Sequence, residues 1–144
     1  MKLLVAVDLS PASDRVVQAA SQVAGAMRAE VVVIHCAAPE PEFVGYDAGP
    51  EGMRDHIAAQ TRQEHTAVQE IATRLRAAGI NATALLVRGP TVETTLKEAE
   101  RLDVDLVVVG SHGRGAVSRL LVGSYSEGIL RNSPGPVLVV PTRT

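Results

Sequence analysis

Five short apolar runs, separated by segments with helical periodicity, constrain the fold of this chain more than any other feature. The runs consist mainly of valine, leucine, isoleucine and alanine and lack the polar alternation of a strand with one face in water. Such runs are typical of strands that a parallel sheet buries on both faces. We predict these strands at residues 3–7, 31–36, 82–87, 105–109 and 137–140.

The segments between the runs predict the helices that would cover the sheet. Ser10 and Pro11 suit the N-cap and the first position of a helix that continues to Met27. A long amphipathic helix is expected to stop at Gly79, because glycine readily adopts the left-handed conformation that ends helices. Helices are thus expected at 11–27, 53–78, 91–100 and 124–131, with a loop rich in proline and glycine at 37–52.

Strands that alternate with helices predict one α/β domain over residues 1–144. Right-handed crossovers give a doubly wound, Rossmann-like, five-stranded parallel sheet with helices on both faces, and we expect the strand order 3-2-1-4-5. Ligands of such sheets bind beyond the carboxyl ends of the strands, where the strand order reverses. Asp8 follows the first predicted strand and Gly110 follows the fourth, so both are expected at that crevice.

Composition excludes several classes of function. Aromatic residues make up 2% of the chain and the net charge is −2, which argues against stacking on nucleic acid and against a basic footprint for it. The single cysteine, Cys36, cannot form an internal disulfide and fits a reducing cytosol, so we expect a cytoplasmic protein. The apolar stretch at the N-terminus is interrupted by Asp8 and is too short for a signal or membrane-spanning segment.

A spaced glycine motif follows the fourth predicted strand. It consists of Gly110 and Gly113, then nine residues, then Gly123 and Ser124. Glycine lets an anion approach the backbone, and the unpaired N–H groups at a helix start point outward. Together these positions predict a phosphate site, although each residue taken singly is better explained as a turn or a helix cap.

The start of the last predicted helix supplies further donors. The backbone N–H groups of Ser124, Tyr125 and Ser126 face outward there, and the two serine hydroxyls add to them. Ser124 and Glu127 also have the Ser-x-x-Glu spacing of a capping box, which is the structural alternative to ligand binding.

Several charged residues near the motif have two interpretations. The Asp8 carboxylate could accept a hydrogen bond from ribose or hold a metal that bridges phosphates, or it could simply stabilise the turn before the first helix. Arg114 and Arg119 could neutralise phosphate charge, and Arg114 is the better candidate because it adjoins the loop. His112 could donate to a phosphate or shape the loop. His35 is more typical of a hydrogen-bonded core histidine than of a ligand.

Catalytic and metal-binding motifs are weak in this chain. The sequence has no Gly-x-x-x-x-Gly-Lys-Ser/Thr loop and no Gly-x-Ser-x-Gly elbow, and no general base stands out. His56 and His65 are nine residues apart on one predicted helix, which is not a metal-ligand spacing. Nucleotide binding is therefore better supported than catalysis.

These residues resemble the universal stress protein family over nearly the whole chain. Leu-Val-Ala-Val-Asp-Leu-Ser at 4–10 resembles the first strand and its turn, and Val-Ile-His-Cys at 33–36 resembles the second strand. Arg-Gly-Pro at 88–90 and Pro-Val-Leu-Val-Val-Pro at 136–141 match later turns and the closing strand. Residues 110–126 keep every position of the family's nucleotide signature, Gly-x2-Gly-x9-Gly-Ser/Thr.

The resemblance implies ATP as ligand, with Mg²⁺ or Mn²⁺ as an optional companion that has no dedicated side-chain set. It implies that Asp8 contacts ribose or adenine, that Cys36 and Val109 line the adenine slot, and that the glycines and serines of the signature hold ribose and phosphates. Cys36 stands where an aliphatic residue is common, which weakens the adenine assignment. The full set of candidate nucleotide-binding residues is Ala6, Val7, Asp8, Cys36, Val109, Gly110, Ser111, His112, Gly113, Arg114, Gly123, Ser124, Tyr125 and Ser126.

The resemblance also implies a homodimer that pairs through the final strand, Val137–Val140. An unpaired apolar edge is an aggregation liability, and dimerisation would remove it. The favoured function is that of an ATP-binding stress or regulatory module. Three alternatives remain: a slow ATPase, a dimeric interaction module with an empty crevice, and a subunit that binds another cofactor such as a flavin nucleotide. A protein partner, if there is one, is expected at the 37–52 loop.

Overall fold

A five-stranded parallel sheet forms the centre of the protein, as the apolar runs predict. The computed structural model describes residues 1–38, 50–112 and 123–142. The strand order is β3-β2-β1-β4-β5, which confirms the predicted doubly wound topology. The strands are β1 (Lys2–Ala6), β2 (Glu30–Ala37), β3 (Ala82–Arg88), β4 (Leu106–Gly110) and β5 (Val137–Val140).

The register of the sheet places the carboxyl ends of its strands at one edge. In the central pairs, Val5 is level with Val33 of β2 and with Val108 of β4. Gly110 is level with Val140 of β5. The residues that follow these strands therefore meet at the same edge, and the strand order reverses between β1 and β4, as expected.

In the described part of the chain, four helices cover the two faces of the sheet. They are α1 (Ser13–Met27), α2 (Pro50–Ala77), α3 (Thr91–Arg101) and α4 (Ser124–Asn132). Leu3 and Val5 of the central strand β1, with Val7 just after it, lie in one core, which α1 and α2 cover with residues such as Val16 and Leu75.

Alternate residues of the central strand point to the opposite face, because successive side chains of a strand alternate between faces. Leu4 and Ala6 lie there in a second core with Ile34 and Ile129, and Leu96 of α3 packs against it. The two faces together leave Leu3, Leu4 and Val5 with no exposed surface.

The first helix begins later than predicted. Ser10 is not its N-cap, because α1 starts at Ser13 with Ala12 in the cap position and no side-chain cap bond. The Asp8 carboxylate accepts hydrogen bonds from the Ser10 backbone N–H and hydroxyl, at 2.9 and 2.6 Å. Ser10 is thus held by the turn after β1, and Pro11 lies in that turn.

The long helix begins earlier than predicted, at Pro50, so the last residues of the predicted 37–52 loop are helical. Residues 39–49 of that loop lie outside the described residues. Helix α2 ends at Ala77, and the prediction that it stops at Gly79 is confirmed. Gly79 has φ +85°, a left-handed conformation that other residues would adopt only with strain. No helix in the described ranges is long and apolar enough to cross a membrane.

The predicted capping box at α4 is wrong. Gly123 is the N-cap in an extended conformation, and it makes no side-chain cap bond. Ser124 is the first residue of the helix, one position too late to cap it. The Glu127 carboxylate instead contacts Arg131 one turn later, at 2.7 Å, and the Glu127 backbone N–H donates to the Gly123 carbonyl.

The packing of α4 yields a test of the core. Ile129 has no exposed surface, whereas its neighbour Leu130 is 45% exposed. We expect Ile129→Ala to lower the free energy of unfolding by about 2–5 kcal/mol, because it leaves a cavity beneath α4. Leu130→Ala should change it by less than about 0.5 kcal/mol. Urea unfolding followed by circular dichroism measures both, and equal losses would contradict the assignment of Ile129 to the core.

Candidate functional site

A cavity of about 230 Å³ opens at the carboxyl edge of the sheet, between the ends of β1 and β4. Its position is the point where the strand order reverses, which is where sheets of this type bind ligands. Its walls are mainly apolar with a few polar groups, as in most small-molecule sites. The lining residues are Ala6, Val7, Asp8, Ala12, Ser13, Val16, Ile34, His35, Cys36, Thr91, Gly110, His112, Tyr125 and Thr142.

The structure brings half of the predicted site residues to the walls of this cavity. These are Ala6, Val7, Asp8, Cys36, Gly110, His112 and Tyr125.

The other described candidates lie around the cavity and do not form its walls. Val109 has no exposed surface and packs in the second core. Ser111 and Ser126 are buried. Gly123 and Ser124 form the start of α4.

Gly113, Arg114 and Arg119 lie outside the described residues.

Asp8 lies at the cavity wall and also stabilises the turn after β1. It lines the cavity, and its Oδ1 atom also accepts a hydrogen bond from the Ser13 hydroxyl at 3.0 Å, besides the two from Ser10. Three donors on one oxygen fix the orientation of the carboxylate. The result is a carboxylate of fixed orientation just beyond the carboxyl end of β1.

The imidazole of His35 is also held in place. Its Nδ1 atom is 2.9 Å from the Val7 carbonyl, and because a carbonyl can only accept, Nδ1–H is the donor. Its Nε2 atom lies 3.6 Å from Glu64 Oε2 on α2. His35 therefore connects the end of β1 to the long helix, which agrees with the predicted hydrogen-bonded core histidine, and one side of it lines the cavity.

A buried hydroxyl connects three elements beside the cavity. Thr95 on α3 has no exposed surface. Its Oγ1 atom lies 2.7 Å from the Thr91 carbonyl, 2.7 Å from the Tyr125 hydroxyl and 3.3 Å from Cys36 Sγ. The contacts join α3, α4 and β2.

Burial affects the acidity of two groups in this cluster. It raises the pKa of the Cys36 thiol above its ordinary value, and this outweighs the opposite effect of the hydrogen bond to Thr95. Burial also raises the pKa of the Tyr125 hydroxyl. Both groups therefore keep their protons at neutral pH, so Cys36 is a thiol with little nucleophilic character.

Thr142 lines the cavity beside the turn that follows β4. Its Oγ1 atom accepts from the His112 backbone N–H and donates to the His112 carbonyl, both at 3.1 Å. Its backbone N–H donates to the Ser111 hydroxyl at 3.0 Å. The segment after β5 is thus bonded to the turn after β4, which fixes the first residues of the glycine motif.

The start of α4 is bonded directly to the end of β4. The Gly123 N–H donates to the Ser111 carbonyl at 2.6 Å, and the Ser126 hydroxyl donates to the Gly110 carbonyl. A Cβ on Gly110 would stand 2.9 Å from the Thr142 side chain and 3.1 Å from that of Val16, so the close packing there favours glycine. Ser126 thus has a structural task that the sequence alone did not predict.

Sequence reasoning missed seven of the lining residues: Ala12, Ser13, Val16, Ile34, His35, Thr91 and Thr142. Ser13 and Thr91 carried a usable signal, because each stands at a helix start just beyond a predicted strand. Thr142 carried none, since its role depends on its pairing with residues 30 positions earlier. Within the ranges that the structure describes, no cluster of three or more His, Cys, Asp or Glu residues could hold a metal ion.

Known proteins share both the sequence pattern and the fold. The model of the universal stress protein family matches residues 1–141. A universal stress protein encoded in the QAH/OAS sulfhydrylase 3′ region of Thermus aquaticus is 31% identical over 140 residues, which cover 96% of each chain.

Solved structures agree with this result. Universal stress protein UspA from Lactobacillus plantarum superposes with a TM-score of 0.83 over 97% of each chain, at 20% identity, which shows the shared fold. A universal stress protein crystallised in complex with cAMP superposes with a TM-score of 0.68, at 28% identity, over 99% of this chain and 98% of that one. This chain belongs to the universal stress protein family.

Proposed function

We propose that this protein binds ATP in the cavity between β1 and β4 and acts as a cytoplasmic, nucleotide-dependent regulatory module. The observation that carries the proposal is the position of α4. Its first turn supplies Tyr125 to the cavity wall, and Gly123 before it is bonded to the end of β4. A helix N-terminus beside a cavity offers outward N–H groups and a positive dipole end to an anion.

The size of the cavity supports a nucleotide that is only partly enclosed. Its volume of about 230 Å³ is below the ~300–1,000 Å³ of most small-molecule sites. We infer that the base and ribose enter the cavity, while the phosphates extend outside it along the start of α4. The cAMP complex of a relative that is 28% identical supports an adenine nucleotide as the class of ligand.

The cavity has groups suited to each part of such a ligand. Ala6, Val7 and Ile34 give apolar surface for the base, and the fixed carboxylate of Asp8 is suited to accept from ribose hydroxyls. The backbone N–H groups at Ser124 and Tyr125 are suited to the phosphates, whereas the Gly123 N–H is already bonded to the Ser111 carbonyl. We retain Gly113 and Arg114 as proposed phosphate ligands on sequence grounds, with Mg²⁺ or Mn²⁺ as an optional companion of the triphosphate.

The first test of this proposal is the phosphate end. Gly123 has φ −73° and ψ 164°, which valine can adopt, so Gly123→Val should fold normally. Its side chain would stand where the phosphates approach, and we expect titration calorimetry to show at least about a hundredfold loss of ATP affinity.

Gly135→Val is the matched control, because a Cβ at Gly135 would meet nothing within 4 Å. It should bind ATP like the natural protein. Normal ATP binding by Gly123→Val would show that the phosphates lie elsewhere. Absence of ATP binding by the natural protein at millimolar concentration would favour a nucleotide-free interaction module.

The second test uses Cys36, the only cysteine of the chain, which lines the cavity. Because its pKa is raised, alkylation by iodoacetamide should be slower than that of free cysteine at neutral pH and accelerate as the pH rises. Saturating ATP should slow alkylation further by covering the thiol. Intact mass spectrometry gives the rates, and an alkylation rate that ATP leaves unchanged would place the ligand away from Cys36.

A second proposal concerns the edge of the sheet formed by β5. In the described structure β5 pairs with β4 on one side, and Val137, Leu138 and Val139 remain partly exposed. We infer a homodimer through Val137–Val140, since a second copy would cover this apolar edge. Light scattering should give about twice the chain mass of 15.1 kDa, and a mass of one chain at micromolar concentration would overturn the inference.

A further inference from the structure

We propose that the buried Thr95 hydroxyl sets the base preference of the cavity, selecting a 6-amino purine over a 6-oxo purine through Tyr125 and Cys36. The inference rests on the proposed nucleotide function and deepens it. It starts from three contacts of one oxygen atom, which belongs to a residue that does not itself line the cavity.

The positions of the hydrogens follow from these contacts. The Thr91 carbonyl can only accept, so the single hydrogen of the Thr95 hydroxyl is committed to it at 2.7 Å. The two remaining lone-pair positions of Thr95 Oγ1 must then accept, from the Tyr125 hydroxyl at 2.7 Å and from the Cys36 thiol at 3.3 Å. Any other arrangement among Thr91, Thr95 and Tyr125 would place two oxygens 2.7 Å apart with no hydrogen between them, and Thr95 then has no hydrogen left to donate to Cys36.

This arrangement leaves the cavity with acceptors at that corner. Tyr125 and Cys36 both line it, and both direct their hydrogens away from it toward Thr95. With their hydrogens committed to Thr95, the polar groups that they can offer a ligand are the lone pairs of an oxygen and a sulfur. Because burial raises the pKa of both groups, neither loses its proton at neutral pH, and the direction of donation does not change.

The corner lies at the base end of the cavity. Cys36 is on β2 and the start of α4 adjoins β4, with β1 between them. Neighbouring strands are about 4.8 Å apart, so the Cys36 end is displaced about 10 Å from the phosphate end along the edge of the sheet. A nucleotide whose phosphates lie at α4 therefore extends its base toward this corner.

An acceptor corner distinguishes bases that have the same shape. The 6-amino group of adenine donates hydrogen bonds, whereas the 6-oxo group of hypoxanthine only accepts. An accepting ligand atom would face lone pairs, or would have to draw a hydrogen away from buried Thr95, and unmatched buried polar groups are costly. ATP should thus bind more tightly than inosine triphosphate, by about tenfold or more.

Thr95→Val tests the assignment directly, because valine has the same shape and no hydroxyl. The Tyr125 and Cys36 hydrogens would then be released to turn into the cavity and donate to a 6-oxo group. We expect the preference for ATP over inosine triphosphate to fall to within about threefold, mainly because inosine triphosphate binds better. A role in stability alone would weaken both ligands together and leave their ratio unchanged.

Thr73→Val is the matched control. Thr73 makes the same kind of bond to the carbonyl four residues earlier, to Gln69, but on the exposed face of α2. Its ratio of affinities should equal that of the natural protein. If Thr95→Val does not fold, as judged by circular dichroism, Tyr125→Phe replaces it. That variant removes the main acceptor and should weaken ATP toward the affinity of inosine triphosphate.

The outcomes separate this inference from the proposed function. ATP and inosine triphosphate binding equally to the natural protein would overturn the base selection and leave nucleotide binding intact. An unchanged ratio in a folded Thr95→Val or Tyr125→Phe variant would also overturn it. Failure of either nucleotide to bind the natural protein would overturn the proposed function and this inference with it.

Discussion

The pairing of β1 with β2 on one side and β4 on the other is the interaction on which the rest of the structure depends. Its central residues, Leu3, Leu4 and Val5, have no exposed surface, so they are held by strands at both sides and helices at both faces. The two pairings put the carboxyl ends of three strands at the same edge of the sheet. The turns that follow these strands then converge on one edge, and the cavity is the space between them.

Polar groups at that edge are fixed mainly by bonds to one another. The Asp8 carboxylate is oriented by Ser10 and Ser13, and Thr142 is bonded to the turn after β4. Such contacts fix the orientation of side chains without a ligand, which would reduce the entropy lost when one binds. The cavity is therefore a largely formed site with defined donors and acceptors.

The strands and their order could be predicted from the sequence, because apolar runs report burial on both faces and the crossover rule limits the topology. The glycine motif likewise pointed to the edge where Gly110 lines the cavity and Gly123 is bonded to the turn after β4. Helix starts were less predictable: Ser10 has the chemistry of a cap, but the Asp8 carboxylate competes for its N–H and hydroxyl. Thr95 and Thr142 could not be predicted at all, because their partners are distant in sequence and only the packed fold brings them together.

Tyr125 also determines how the site can be observed. The chain has no tryptophan, two tyrosines and one weakly emitting phenylalanine, so its ultraviolet emission comes mainly from tyrosine. Tyr125 forms part of the cavity wall, and its hydroxyl is hydrogen-bonded to the buried Thr95. A ligand in the cavity would change the surroundings of Tyr125, so the molecule carries an optical reporter in the cavity wall without any label.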